Sequence, residues 1–133
     1  MQFAKRLLVN ILLANGDAHV KNWSLIYPDT ITPRLAPAYD IVTTQPYLPD
    51  ERGAALNMAK TKVWVATLLL HFKRWANNVG VPWPAVEEQL LGTLQMAREK
   101  WPQALIELPM HETHKAKLRQ HWATLHPDFS IKI

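Results

Sequence analysis

Asn15-Gly16-Asp17-Ala18-His19-Val20-Lys21-Asn22 is the densest run of polar, chemistry-bearing side chains in this 133-residue chain. The patterns on either side of it differ in period. Upstream, Phe3, Leu7, Leu8, Ile11 and Leu12 recur at helical spacing until Asn15 and Gly16 break the stripe. Downstream, Trp23, Leu25 and Tyr27 alternate with their neighbours as in a strand, and Pro28-Asp29 supplies a turn before Arg34, Leu35 and Ala36 return. The run is therefore expected to be a loop joining a helix to a short hairpin. Pro33 and Pro37 cannot donate ladder hydrogen bonds, so the return strand must be brief or lie at an edge.

The loop's residue types suit phosphoryl transfer. That reaction needs a carboxylate to orient or deprotonate the acceptor hydroxyl, and hard oxygen ligands to hold magnesium against nucleotide phosphates. Asp17 and Asn22 can supply both. A further oxygen ligand is available in Asp40, 18 residues after Asn22. Strands of about five residues span roughly 17 Å each, so an excursion out along Trp23–Tyr27 and back along Arg34–Pro37 nearly cancels. It is expected to leave Asp40 beside Asn22. An Asp, an Asn five positions later and a second Asp after a hairpin follow the order of parts in a kinase site.

On these residues the chain resembles the C-terminal half of HipA-like serine/threonine kinases, the toxins of bacterial toxin–antitoxin pairs. Asn15 to Leu25 resembles that family's catalytic loop and following strand, and Arg34-Leu35-Ala36-Pro37-Ala38-Tyr39-Asp40 resembles its metal-binding segment. The resemblance is specific from about Asn10 to Tyr47 and is a matter of helical pattern beyond Trp64. It implies Asp17 as the catalytic base or hydroxyl-orienting group, with His19 and Lys21 as further catalytic candidates. His19 stands where many protein kinases place a lysine, and either contacts the transferred phosphoryl group or braces the loop. Asn22 and Asp40 are implied to bind magnesium, and through it the nucleotide. The resemblance further implies ATP and Mg as cofactors, a helix-turn-helix antitoxin as partner, and a protein substrate such as an aminoacyl-tRNA synthetase.

The family's complete enzymes also carry an N-terminal lobe with a nucleotide-covering loop. The four glycines, Gly16, Gly53, Gly80 and Gly92, are never closer than 12 positions. These residues therefore contain neither a G-x-G-x-x-G loop nor a Walker loop. The expected architecture is mainly α with a small β-hairpin, a protein-kinase-like C-lobe without its N-lobe, in one domain over 1–133. Its parts are a catalytic loop at 15–22, a hairpin at 23–37, a metal-binding segment at 38–47 and a helical subdomain at 64–126. Such a lobe is expected to be inactive until a missing N-terminal lobe or split subunit is supplied. A catalytically silent interaction module on the same fold is the alternative.

Composition narrows the remaining choices. Hydrophobic residues at 48% and charged residues at 20% suit a globular domain. Cysteine is absent, which excludes disulfides, thiolate metal sites and a cysteine nucleophile, and fits a cytoplasmic setting. The apolar stretch Val63–Leu70 is eight residues long, far short of the roughly 20 that span a bilayer. A net charge of +4 comes from scattered basic residues, so no membrane association and no direct nucleic-acid binding is expected.

In the helical part, Val65, Leu68, Leu69, Phe72 and Trp75 or Ala76 form one stripe, which Gly80 and Pro82 stop. Val86, Leu90, Leu94, Ala97 and Trp101 form the next, with Pro102 expected to kink or end it. A last helix is expected from about Glu112 to Leu125 on Leu118, Trp122 and Leu125. His111, His114, Lys115, Lys117, Arg119 and His121 are expected on its wet side. His111-Glu112-Thr113-His114 is one residue too short for H-E-x-x-H zinc ligation. Asp17-x-His19 lacks the further ligands of a two-metal phosphoesterase. The six tryptophans are read as core packing rather than a ligand cage.

Overall fold

A computed structural model describes residues 2–58 and 60–133. The elements are α1 (Gln2–Leu12), a 3-10 turn (Val20–Asn22), β1 (Leu25–Ile26), β2 (Arg34–Leu35), β3 (Gly53–Met58) and β4 (Thr61–Val63). A second 3-10 turn (Trp64–Ala66) follows, then α2 (Leu69–Val79), α3 (Trp83–Glu107) and α4 (Glu112–Thr124).

The fold is mostly helical, as the periodicities require. Leu8, Leu12, Phe72, Val86, Leu90, Leu94, Trp122 and Phe129 meet in one core, with α1 and α2 both packed on α3. Trp64 and Trp122 are fully buried, and the other four tryptophans pack partly buried against the same cluster. Gly80 ends α2 in the left-handed region at φ 72°, where a side chain would be strained. Pro84 sits in the first turn of α3, where its missing N–H leaves no bond unmade.

The first hairpin is as short as its prolines demand. β1 and β2 pair antiparallel with Leu25 opposite Leu35 and Ile26 opposite Arg34, and the Ala36 N–H adds a bond to the Ser24 carbonyl at 2.8 Å. Its loop is tied by Asp29, whose Oδ1 accepts from the Ile31 and Thr32 N–H groups at 3.1 and 2.6 Å. Hydrogen bonds from Thr32, and then from Ile31, hold the Asp29 carboxyl down to about 2.

Four expectations need correction. A second antiparallel hairpin exists, with Gly53 opposite Val63 and an irregular register between its ends. The stripe that begins at Val65 becomes helical only at Leu69. Thr67 and Leu68 are extended, and the first free N–H of α2 is taken by Asp128 Oδ2 at 3.0 Å from far along the chain. Of the two outcomes expected at Pro102, an end to the helix is the one corrected: α3 continues to Glu107, and Leu105, 2% exposed, anchors the last turns in the core.

The fourth correction concerns α4, whose Lys115 and His121 are buried rather than wet. Lys115 Nζ donates to the Ile106 carbonyl at 2.9 Å and pairs with Glu112 at 3.1 Å, so its stem is buried while its charge is satisfied. His121 Nε2 donates to the Ile11 carbonyl at 2.7 Å. Burial lowers the His121 pKa below 6.5, and the bond to Ile11 opposes this only in part.

A depressed imidazole pKa makes the unfolded chain bind more protons than the folded one in the interval just below 6.5. Its contribution to stability is complete above that pH and lost as pH falls toward the folded value. The slope reaches at most about 1.4 kcal/mol per pH unit. Thermal unfolding from about pH 8 to about pH 5 should show this slope in the wild type and a flatter one in His121→Gln, which keeps a donor. Equal slopes would remove His121 as the cause.

Candidate active site

The helix-to-loop transition is built by asparagines. Asn10, on the buried face of α1, accepts from Asn15 Nδ2 at 2.6 Å, while its own Nδ2 donates to the Arg6 carbonyl at 2.8 Å. Asn15 is fully buried, and its Oδ1 accepts from the Asp17 N–H at 3.0 Å. Ala14 adopts φ 51° between them, which turns the chain sharply out of α1. Polar groups on a core face are costly unless paired, so this local network fixes one loop conformation.

A second clamp comes from the segment after Asp40. The Gly16 N–H donates to Thr44 Oγ1 at 2.8 Å, and the Thr44 N–H donates to the Ala14 carbonyl at 3.2 Å. The Thr44 hydroxyl lies between the Ala14 carbonyl and the Glu51 carboxylate. A Cβ at Gly16 would run into that carboxylate, so a side chain there would require Glu51 to swing away from Thr44.

The predicted site residues are distributed as follows. Asn22 and Asp40 line one cleft together with Arg6, Asn10, Trp23 and Tyr39, so the out-and-back hairpin returns these two residues to a common space. Asn22 Nδ2 donates to the Asp17 carbonyl at 2.6 Å, which leaves its Oδ1 outside that bond. Asp40 sits at φ 56°, a conformation that Asp tolerates better than most residues. Arg6 Nη1 donates to the Ala36 carbonyl at 2.6 Å and so ties α1 to the end of the hairpin.

Asp17 is not among the residues lining that cleft; its exposed carboxylate meets His19 Nε2 at 3.3 Å. The exposed Lys21 contributes its carbonyl, which accepts from Tyr39 OH at 3.3 Å, while Ser24 Oγ donates to the same phenol oxygen at 2.6 Å.

The cleft encloses only about 20 Å³, space for a single ion or water. A nucleotide would lie over it rather than inside it. Asn22 Oδ1 and the Asp40 carboxylate are hard oxygen donors. Two of them fit magnesium, which keeps water and phosphate oxygens in the rest of its shell. Among the described residues no three His, Asp or Glu side chains gather as a metal-binding group, so a cage made wholly of such side chains is not offered.

Sequence reasoning missed Arg6, Asn10, Thr44 and Glu51. Asn10 left a signal, as a polar residue on an otherwise apolar helix face. Thr44 and Glu51 left none, because their partners lie far away along the chain.

The family model described as "HipA-like C-terminal domain" matches residues 1–101. The chain belongs to the HipA-like C-terminal domain family. This HipA-like domain is 39% identical over 109 residues to "Putative kinase Y4dM" of Sinorhizobium fredii, covering 82% of this chain and 27% of that protein. It is 27% identical over 124 residues to a "Putative kinase" of Haemophilus influenzae, covering 83% and 36% respectively.

Among solved structures, it superposes with a TM-score of 0.70 on a chain from the Shewanella oneidensis toxin–antitoxin complex of HipA, HipB and operator DNA. The identity there is 19%, with 92% of this chain and 30% of that chain covered, and the likeness shows the kinase-like fold. The HipA-like domain thus spans about a quarter to a third of the length of these relatives. No described helix is long and apolar enough to cross a membrane.

Proposed function

We propose that this HipA-like domain is the C-terminal lobe of an ATP- and magnesium-dependent protein serine/threonine kinase of the HipA toxin type. The observation that carries the reading is the shared cleft of Asn22 and Asp40, reached by a helix, a polar loop and a two-stranded hairpin in kinase order. In this reading Asn22 and Asp40 hold magnesium, which neutralises charge on the nucleotide phosphates when bound. Asp17 orients or deprotonates the acceptor hydroxyl from outside the cleft. His19, paired with Asp17, sets the direction of that carboxylate, and Lys21 adds positive charge to the loop.

A second lobe has a surface to dock on. Val20, Leu25, Ile26, Tyr27 and Ile31 are exposed on the loop and hairpin, and exposed apolar side chains on this segment are proposed as its contact residues. The rest of the length seen in the relatives is its natural occupant, and it would supply the phosphate-covering loop that these residues lack. A helix-turn-helix antitoxin as partner is proposed from the HipB present in the Shewanella complex. A protein substrate such as an aminoacyl-tRNA synthetase and a cytoplasmic setting are proposed from the family likeness. The same exposed face also suits a silent interaction module, which would bind a partner without transferring phosphate.

Calorimetric titration with magnesium and ATP tests the reading. Asp40→Ala should remove the magnesium-dependent part of any nucleotide binding while leaving the circular dichroism spectrum unchanged. Equal magnesium dependence in the wild type and Asp40→Ala would end the metal assignment. Phosphate transfer by the isolated chain would end the requirement for a second lobe.

A further inference from the structure

A second cavity, of about 580 Å³, shares no lining residue with the Asn22–Asp40 cleft. Its walls come from the segment before β3, from Trp64, and from α4. Arg52 and Lys117 contribute positive charge, while Gln45, Gln120 and Thr124 contribute neutral hydrogen-bonding groups. No carboxylate lines it. Neither Arg52 nor Lys117 takes part in an ion pair among the described residues. His121 also borders the space, but its Nε2–H is committed to the Ile11 carbonyl.

Trp64 borders the cavity with its ring, while its indole nitrogen is closed off from that space. Its side chain is 2% exposed, and its indole N–H has no acceptor among the described residues. A volume of this size suits a small organic molecule rather than a lone ion.

We propose that this cavity binds a small organic anion through a phosphate or carboxylate group held by Arg52 and Lys117, with Trp64 as its aromatic wall. The charge-assisted bonds from the two cations provide the affinity, and the amide and hydroxyl groups fix orientation. Occupancy also bears on the loop, because Arg52 directly follows Glu51, the residue set against Gly16 and Thr44. The tyrosine at the other side of that segment, Tyr47, packs edge-on against His114 of α4 at 4.9 Å. A ligand bridging Arg52 to Lys117 would therefore fasten the same segment to α4 a second time.

The probes are inorganic phosphate and acetate, titrated separately into the full chain at constant ionic strength. The Trp64 indole resonance is followed by proton–nitrogen correlation spectroscopy and assigned with Trp64→Phe. The expected result is a saturable shift of that resonance with one of the two probes, which also identifies the recognised group. Arg52→Gln and Lys117→Gln should each weaken it about tenfold, with Lys117→Arg retaining most of it. A linear, unsaturated response to both probes would overturn the proposal, as would unchanged saturation in a folded Lys117→Gln chain. Phosphoryl transfer is not read in this experiment, so its failure leaves the kinase reading standing.

Discussion

Trp122→Ala should lower the unfolding free energy by about 3–5 kcal/mol, enough to consume most of the stability of a small domain. Trp122 is 1% exposed and lies 6.2 Å from Trp101, ring centre to ring centre, so truncation leaves a large void in the core. It also donates its indole N–H to the Leu12 carbonyl at 2.8 Å. Leu12 closes α1, and a helix end leaves carbonyls without partners inside the helix. His121 and Trp122 serve Ile11 and Leu12 in turn, so α4 caps the helix that leads into the Asn15–Asn22 loop.

Trp122→Phe separates the two effects, since it keeps most of the packing and orphans only the carbonyl, at a cost of about 1–3 kcal/mol. Urea unfolding followed by circular dichroism gives both values. A Trp122→Ala midpoint no lower than that of the surface variant Lys132→Ala would show that α4 does not hold α1. This cap lies outside the residues matched by the family model, which end at 101.

The elements legible in the sequence were those whose signal is local. Leu7, Leu8, Ile11 and Leu12 announce α1, Gly80 announces the end of α2, and Pro33 and Pro37 explain why β2 holds only two residues. The β3–β4 hairpin left no such mark. Ala54 and Ala55 are weak strand formers, no Asn-Gly or Asp-Gly turn joins the strands, and Lys60 takes φ 74° without a sequence cue. Lys115 and His121 misled for a related reason. Residue type predicts water contact, whereas burial was decided by the carbonyls of Ile106 and Ile11 waiting across the fold.

The candidate site divides along the same line. The spacing of Asn22 and Asp40 led to the expectation that the hairpin returns them to one cleft, and both line it, whereas Asp17 stands outside. The network that holds these residues was not legible, because Thr44 reaches Gly16, and Arg6 reaches Ala36, through contacts that only the folded chain creates. Asp40 itself, at φ 56°, takes a left-handed backbone that Asp tolerates better than most residues, and Ala14, Thr30 and Lys60 also take positive φ elsewhere.

With a complementary N-terminal lobe supplied, Asp17→Asn should slow phosphoryl transfer by about 10²–10⁴-fold, the range for loss of a general base. Binding of ATP with magnesium should change little, because the Asp17 carboxylate stands outside the cleft lined by Asn22 and Asp40. The fold should hold as well. The bond that orders Asn22 is accepted by the Asp17 backbone carbonyl, which the substitution keeps, and the side chain itself is exposed. Asp40→Ala is expected to behave differently and lose binding and transfer together. The two variants thus separate proton handling from metal holding through the ratio of turnover to affinity. Should Asp17→Asn keep its rate within about threefold, or lose nucleotide affinity as Asp40→Ala does, Asp17 would not be the base. The hydroxyl-orienting role would then have to be sought among the other exposed groups of the loop, with His19 first in line because its ring already faces the same space as that carboxylate.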